Sequence, residues 1–376
     1  MALTEAELEM VARAKLLARE QIAPHAATWE REQRIGHEAL ANAAALGLTS
    51  LQVPLEHGGL GLGFGCKAAV AEALAGADFG FTMSLINTQN VAAVLARFAS
   101  PELAARYIPD LMAARRLGCT ALTEPGAGSD FAAIATRATR CAGGWRIDGA
   151  KAWITNAVAA DVVVLYAQTE PGSGGRGIAA FLIDGQGAGF IREPAYALGG
   201  QHTIGAGGFR LEGYLARDDE VLHQPGQAFR AALASINQAR TYIAAMCCGM
   251  VAQCLDIVRA YGESRSSFGR TLADHQGWRW RVAQASTELS AASLMVDRAV
   301  QRIEQGDSPQ LEAAQAKLFA GCMAERQIPV LAHAMGAEGL REHYPFARHL
   351  QGTRVAGFVD GSNEMLLERI CAVLRA

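Results

Sequence analysis

Two short segments carry residue types suited to holding a ligand: LTEPGAGSD at 122–130 and KAWITN at 151–156. In the first, Gly126, Ala127 and Gly128 let backbone approach a bound molecule closely, while Thr123 and Ser129 offer hydroxyls to a flat heterocycle or a phosphate. In the second, Trp153 and Thr155 are two apart, so on a strand both face the side opposite Ile154. Each segment alone also has a plainer reading, a Gly/Ser turn and a buried tryptophan. A third segment, GSGGRG at 172–177, spells the dinucleotide fingerprint. That fingerprint needs a strand before it and a helix after it, because the helix N-terminus holds the pyrophosphate. The strand-like IAAFLID follows instead, so a hairpin loop is expected and a Rossmann nicotinamide site is not supported.

The elements that must position these residues follow from composition. Residues 1–118 are Ala/Leu-rich with helical periodicity, interrupted by the glycine-rich VPLEHGGLGLGFG at 53–65. Residues 119–226 hold short strand-like runs separated by Gly, Pro and Asp turns, the pattern of a compact antiparallel module. From 227 to 376 long helical stretches return, at 228–261, 274–305 and 308–336. The order is α–β–α, and 376 residues is too long for one ordinary core. A net charge of −3 gives no general attraction to nucleic acid or anionic membrane. No run approaches the ~18 uninterrupted apolar residues of a membrane span, and the N-terminal stretch alternates charged and apolar residues unlike a signal peptide. The eight cysteines form no C-x-x-C pair and the nine histidines no H-x-x-x-H, so reduced, mostly buried thiols, no metal site and a cytoplasmic location are expected.

Taken together, LTEPGAGSD and K-x-W-I-T-N at this spacing resemble the signature of the acyl-CoA dehydrogenase family. Further matches run in order: VPLEHGGLGLG (53–63), SRSSFGRTLADHQ (264–276), GAEGL (336–340) and DGSNEMLLERI (360–370). The resemblance implies an α+β fold with an N-terminal helical domain, a middle antiparallel β domain and a C-terminal four-helix domain, assembled as a homotetramer or at least a dimer. It implies bound FAD, with Leu122, Thr123, Trp153 and Thr155 at the isoalloxazine, Thr155 near N5, and Ser129 toward the phosphates or the substrate. Arg265, Ser267, Phe268, His275 and Gln276 match residues that bind the FAD of an adjacent subunit in relatives. The guanidinium fork of Arg265 suits a diphosphate. The family's Q-x-x-G-G-x-G becomes His333-Ala-Met-Gly336-Ala-Glu-Gly339, which leaves Gly336 as a cofactor contact. Ser362 and Glu364 fall at further cofactor positions, and Asn237, Arg240 and Gly361 at substrate positions, while Arg240 on its helix also has the plainer reading of a surface salt bridge.

Removing the α proton of a thioester requires a carboxylate beside that carbon. Most family members place a glutamate before the glycine of E-G-T, where this chain has Asp360 in FVDGSN. A second branch places it on an earlier helix, where this chain has Ala239. Asp360 is therefore the implied base. Some relatives acting on alicyclic thioesters, such as cyclohexanecarboxyl-CoA, also use aspartate. The implied activity is α,β-dehydrogenation of an acyl-CoA, with electrons passing to an electron-transfer flavoprotein or similar acceptor. Two alternatives stand beside it: an acyl-carrier-protein-linked dehydrogenase or oxidase, and a DNA-associated flavoprotein, which the acidic balance disfavours. Gln201, in ALGGQHTIG (197–205), replaces a family arginine with no consequence evident from sequence.

Overall fold

The structure is a computed structural model describing residues 3–375. Met1, Ala2 and Ala376, the outer ends of the first and third expected segments, lie outside the described residues.

Six helices come first: α1 (Glu5–Leu17), α2 (Ala23–Arg31), α3 (His37–Ala45), α4 (Phe64–Ala75), α5 (Phe79–Phe98) and α6 (Pro101–Met112). Their starts follow local chemistry. Thr4 and Glu7 form a capping box on α1, Asp78 accepts from Phe81 N–H at 2.7 Å on α5, and Ser100 caps α6 ahead of Pro101. The glycine-rich turn between α3 and α4 folds tightly back on itself. A Cβ at Gly59 would stand 2.1 Å from the Val53 carbonyl oxygen.

The strands are β1 (Leu117–Ala121), β2 (Arg137–Cys141), β3 (Gly144–Ile154), β4 (Ala160–Gln168), β5 (Ile178–Asp184), β6 (Phe190–Arg192), β7 (Gly207–Arg217) and β8 (Val221–His223). They form one sheet in the order β6-β7-β3-β2-β4-β5-β8, with β1 added beside β4. The expectation of an antiparallel module needs one correction, because β1 pairs parallel with β4 and β2 meets β4 in parallel at Arg137. The chain from β1 to β4 carries β2 and β3, which provides the crossover that parallel pairing requires. GSGGRG lies in the hairpin between antiparallel β4 and β5.

The third segment comprises α7 (Ala228–Ser264), a small hairpin of β9 (Ser266–Ser267) and β10 (Arg270–Thr271), α8 (Gln276–Glu304), α9 (Gln310–Ala334), α10 (Phe346–Ala356) and α11 (Asn363–Leu374). Two short helices thus accompany three long ones in the bundle. By length and composition α7 could cross a bilayer, with a mean hydropathy of 1.6 over its most apolar window, but 78% of that window is buried. It is the central helix of the bundle.

Helix α5 joins the parts. Its first half, through Phe79, Phe81 and Leu85, belongs to a core shared with α4, α7 and α9. Its second half, through Val91 and Leu95, packs with α6 against Val164 and Leu182 of the sheet. Loop 201–204 locks the same junction: Gln201 donates to the Arg348 carbonyl, Thr203 to Asp78 at 2.6 Å, and His202 meets Glu30. Gln201, buried at φ 65°, is thereby an interdomain tie.

Candidate active site

The segments 122–130 and 151–156 are fastened to each other. Lys151, buried on β3, donates to the Leu122 carbonyl at 2.9 Å and to Glu124 Oε1 at 2.8 Å. Glu124 also accepts from Ala135 N–H at 2.6 Å and Thr136 N–H at 3.0 Å. Burial opposes its ionisation, but Lys151 and these donors outweigh burial and hold the carboxyl below its usual range. Ala152 N–H adds a bond to the Thr123 carbonyl at 3.0 Å. Asn156, fully buried, donates to the Ser84 and Gly118 carbonyls, both at 3.0 Å, and so pins this turn to α5.

On that frame Leu122, Thr123 and Thr155 keep part of their surface accessible and Ser129 is exposed. Trp153 is 65% exposed with its ring 4.7 Å from that of Tyr196, so the plainer reading of a buried tryptophan is incorrect. The simple strand alternation also needs correction. Trp153 has φ 60°, the β3–β7 register shifts between Lys151 and Ile154, and Thr155 lies in the turn beyond the strand. This bulge turns an aromatic face outward where a regular strand would not. An exposed aromatic ring, hydroxyls, and glycines at 126 and 128 with nothing within 4 Å of where a Cβ would stand suit a large flat cofactor with a diphosphate.

The second group surrounds Asp360, in the turn between α10 and α11. Asp360 has φ 53° and Gly361 φ 101°. Arg240, buried on α7, donates from Nε to the Asp360 carbonyl at 2.9 Å and from Nη1 to Asn237 Oδ1 at 3.1 Å. Arg240 makes no ion pair among the described residues, so it is not the helix-surface salt bridge that its sequence also allows. A Cβ at Gly361 would stand 3.1 Å from Arg240 Nη2, so glycine gives the guanidinium its closest approach. From the other side Lys317, buried on α9, donates to the Gly361 carbonyl at 2.8 Å. Asp360 is half-buried as a residue. Burial raises its carboxyl above the ordinary aspartate range, opposed by Lys317 and Arg240, while burial pushes the Lys317 ammonium down to about 8.

Of the remaining predicted residues, Ser362 caps α11, accepting from Met365 N–H at 3.4 Å, and Glu364 is exposed in its first turn. Gly336, at φ 65°, ends α9. Arg265, Ser267, Phe268 and His275 lie on the α7–α8 connection, where His275 Nε2 meets the Ser267 carbonyl at 3.0 Å, and Gln276 opens α8. Arg265 is exposed without a salt bridge among the described residues, and Phe268 is 96% exposed at φ 51°. No direct hydrogen bond among the described residues links this connection to the Trp153 or Asp360 groups. Sequence reasoning missed Glu124, Lys151, Asn156 and Lys317. The signal for Lys317 was present: a lone lysine at helical spacing with Ala313, Ala314, Ala320, Ala324 and Ile328 on the buried face of α9.

Comparison with known proteins places these features in a family. Three family models match in succession: the acyl-CoA dehydrogenase N-terminal domain over residues 4–115, the middle domain over 119–213 and the C-terminal domain over 226–374. The short/branched chain specific acyl-CoA dehydrogenase of Rattus norvegicus is 30% identical over 98% of this chain and 85% of its own length. The glutaryl-CoA dehydrogenase of Desulfococcus multivorans is 30% identical over 95% of this chain and 93% of its own. The butyryl-CoA dehydrogenase structure from Megasphaera elsdenii superposes with a TM-score of 0.95, at 25% identity and full coverage of both chains. With all three domains matched and the motif residues set in this geometry, the chain belongs to the acyl-CoA dehydrogenase family.

Proposed function

We propose that the chain is an FAD-dependent enzyme that removes the α proton and β hydride of an acyl-CoA thioester to give the 2-enoyl thioester. The observation that carries this reading is Asp360, a carboxylate in a turn held from two helices, by Arg240 at the Asp360 carbonyl and by Lys317 at the Gly361 carbonyl. Leu122, Thr123, Trp153 and Thr155 would hold the flavin ring. Ser129, Gly336, Ser362 and Glu364 would contact the rest of the cofactor, and Arg265, Ser267, Phe268, His275 and Gln276 the cofactor of a neighbouring copy. When bound, FAD supplies the acceptor for the β hydride.

Asp360 takes the α proton. Burial raises its basicity, and the two nearby cations, Lys317 and Arg240, oppose that rise. Arg240 orients the base through its backbone, and Asn237 orients Arg240. Aspartate is one methylene shorter than the family's usual glutamate, which leaves space for a branched or alicyclic α carbon. Exposed Phe268, Trp280, Leu294, Leu340 and Leu374 on the C-terminal segment support assembly with further copies, which we take to be a homotetramer. An electron-transfer flavoprotein is the acceptor that fits this chemistry. The test is a ferrocenium-coupled screen of FAD-loaded protein against linear, branched and alicyclic acyl-CoAs. Reduction by none of them, nor by acyl-carrier-protein thioesters, would reject the reading.

A further inference from the structure

Seven non-glycine residues among the described residues have a positive φ, and four of them are Trp153, Asn156, Gln201 and Asp360. Two of the others, Gln33 and Ala114, follow the ends of α2 and α6, where such a turn is ordinary, and Phe268 is at the tip of the β9–β10 hairpin. Left-handed backbone strains a residue that has a Cβ. It persists only where the surrounding contacts dictate it, and it gathers at working sites.

One line of contacts joins the four. Loop 196–206 runs from the cofactor-facing turn to the start of α10. At one end the Tyr196 ring lies 4.7 Å from that of Trp153, and Tyr196 N–H donates to the Ala206 carbonyl at 3.1 Å. In the middle the Ile204 carbonyl accepts from Asn156 N–H at 3.0 Å, immediately after Thr155. On the other side Gln201 Nε2 donates to the Arg348 carbonyl in the first turn of α10. Helix α10 passes straight into the Asp360 turn, because the N–H groups of Gly357, Phe358 and Val359 all bond back to carbonyls of its last turn. Loop and helix both lie tight against α5: a Cβ at Gly80 would stand 2.1 Å from Thr203 Oγ1, and one at Gly352 3.1 Å from Phe79 Cβ.

Gln201 is 1% exposed, and its Oε1 is buried without a partner among the described residues. A residue needed only to fill space there would carry neither an unmet acceptor nor a left-handed backbone. What Gln201 supplies is the loop's only hydrogen bond to α10 among the described residues. We propose that Gln201 is a positioning residue: it sets α10, and with it the Asp360 turn, against the turn at 153–156, so that base and cofactor-facing groups keep a fixed separation. The inference rests on the dehydrogenase reading given above and deepens it.

The test uses Gln201→Met, which keeps the side chain's length and removes the donor together with the unmet acceptor, and Gln201→Glu, which keeps its shape and cannot donate when ionised. Tyr107→Phe, which loses a hydrogen bond to Asp184 at the end of β5, controls for general loosening. FAD-loaded proteins are mixed anaerobically with saturating amounts of the best thioester from the acyl-CoA screen. Both Gln201 variants should reduce their flavin at least about tenfold more slowly, since misplacement by about 1 Å costs on the order of 100-fold. Their dissociation constants for FAD and thioester should stay at the wild-type values, and Tyr107→Phe should keep the wild-type rate. Hydrogen exchange of the same FAD-loaded proteins without thioester should rise at least about tenfold at residues 357–362 in the Gln201 variants and stay unchanged in α8. A wild-type reduction rate in both Gln201 variants, an equal slowing in Tyr107→Phe, or unchanged exchange at 357–362 would overturn the proposal. If exchange rises there while no thioester reduces the flavin of any of these proteins, the coupling stands and the dehydrogenase reading falls.

Discussion

Replacing Lys151 by methionine isolates the tie between the two motif segments. The side chain is buried and makes two hydrogen bonds, to the Leu122 carbonyl and to Glu124. Methionine keeps most of the apolar stem but leaves Glu124 buried and charged, with its bonds from Ala135 and Thr136 left to stabilise it. Breaking a buried pair from one side costs about 3–5 kcal/mol, because the remaining charge is uncompensated. Removing both charges in Lys151→Met/Glu124→Gln should recover at least about 1 kcal/mol of the summed single losses, the coupling expected of groups in direct contact. The assay is denaturant unfolding of all four proteins with flavin occupancy held equal, since a ligand that binds only the folded form shifts apparent stability. The pair also sets a pH window. Glu124 is depressed in the folded state, so its contribution is present above its unfolded pKa of about 4.3 and is lost as pH falls through the folded value. The Lys151→Met variant should therefore lose more stability at neutral pH than in acid. A single-variant loss under about 1 kcal/mol, or strictly additive losses, would refute this reasoning.

Two further outcomes follow from the site. Arg265→Ala removes an exposed guanidinium placed to meet a diphosphate, worth about 1.5–3 kcal/mol, so FAD dissociation constants by equilibrium dialysis should rise at least about tenfold; no change would take Arg265 out of the cofactor site. The pH profile of flavin reduction should fall on the acid side as Asp360 protonates, with a midpoint above the ordinary aspartate value of about 3.9, because burial raises this carboxyl. Lys317 opposes that rise, so Lys317→Gln should move the limb to higher pH, and a limb that stays in place would remove Lys317 from the base's environment.

The three-part order was legible because helical and strand periodicities differ and because turn residues mark the strands. The parallel entry of β1 beside β4 was not, since strand pairing depends on contacts distant in sequence. Trp153 was found by type and spacing, but its outward turn depends on a positive φ in a bulge, which no residue pattern at 151–156 announces. Arg240 had two readings in sequence, and only its burial and its bond to the Asp360 carbonyl separate them. Lys151 and Lys317 escaped notice for a common reason. A lysine on an apolar face looks like an end of the solvated surface until the fold shows that the face is buried.

The central claim is that Asp360 abstracts the α proton. Asp360→Asn retains size and shape but cannot accept the proton, so FAD-loaded variant mixed anaerobically with the best thioester from the screen should still bind it. Flavin bleaching should slow by roughly 100- to 10,000-fold, the usual contribution of a general base. Bleaching at the wild-type rate in Asp360→Asn would show that another group removes the proton.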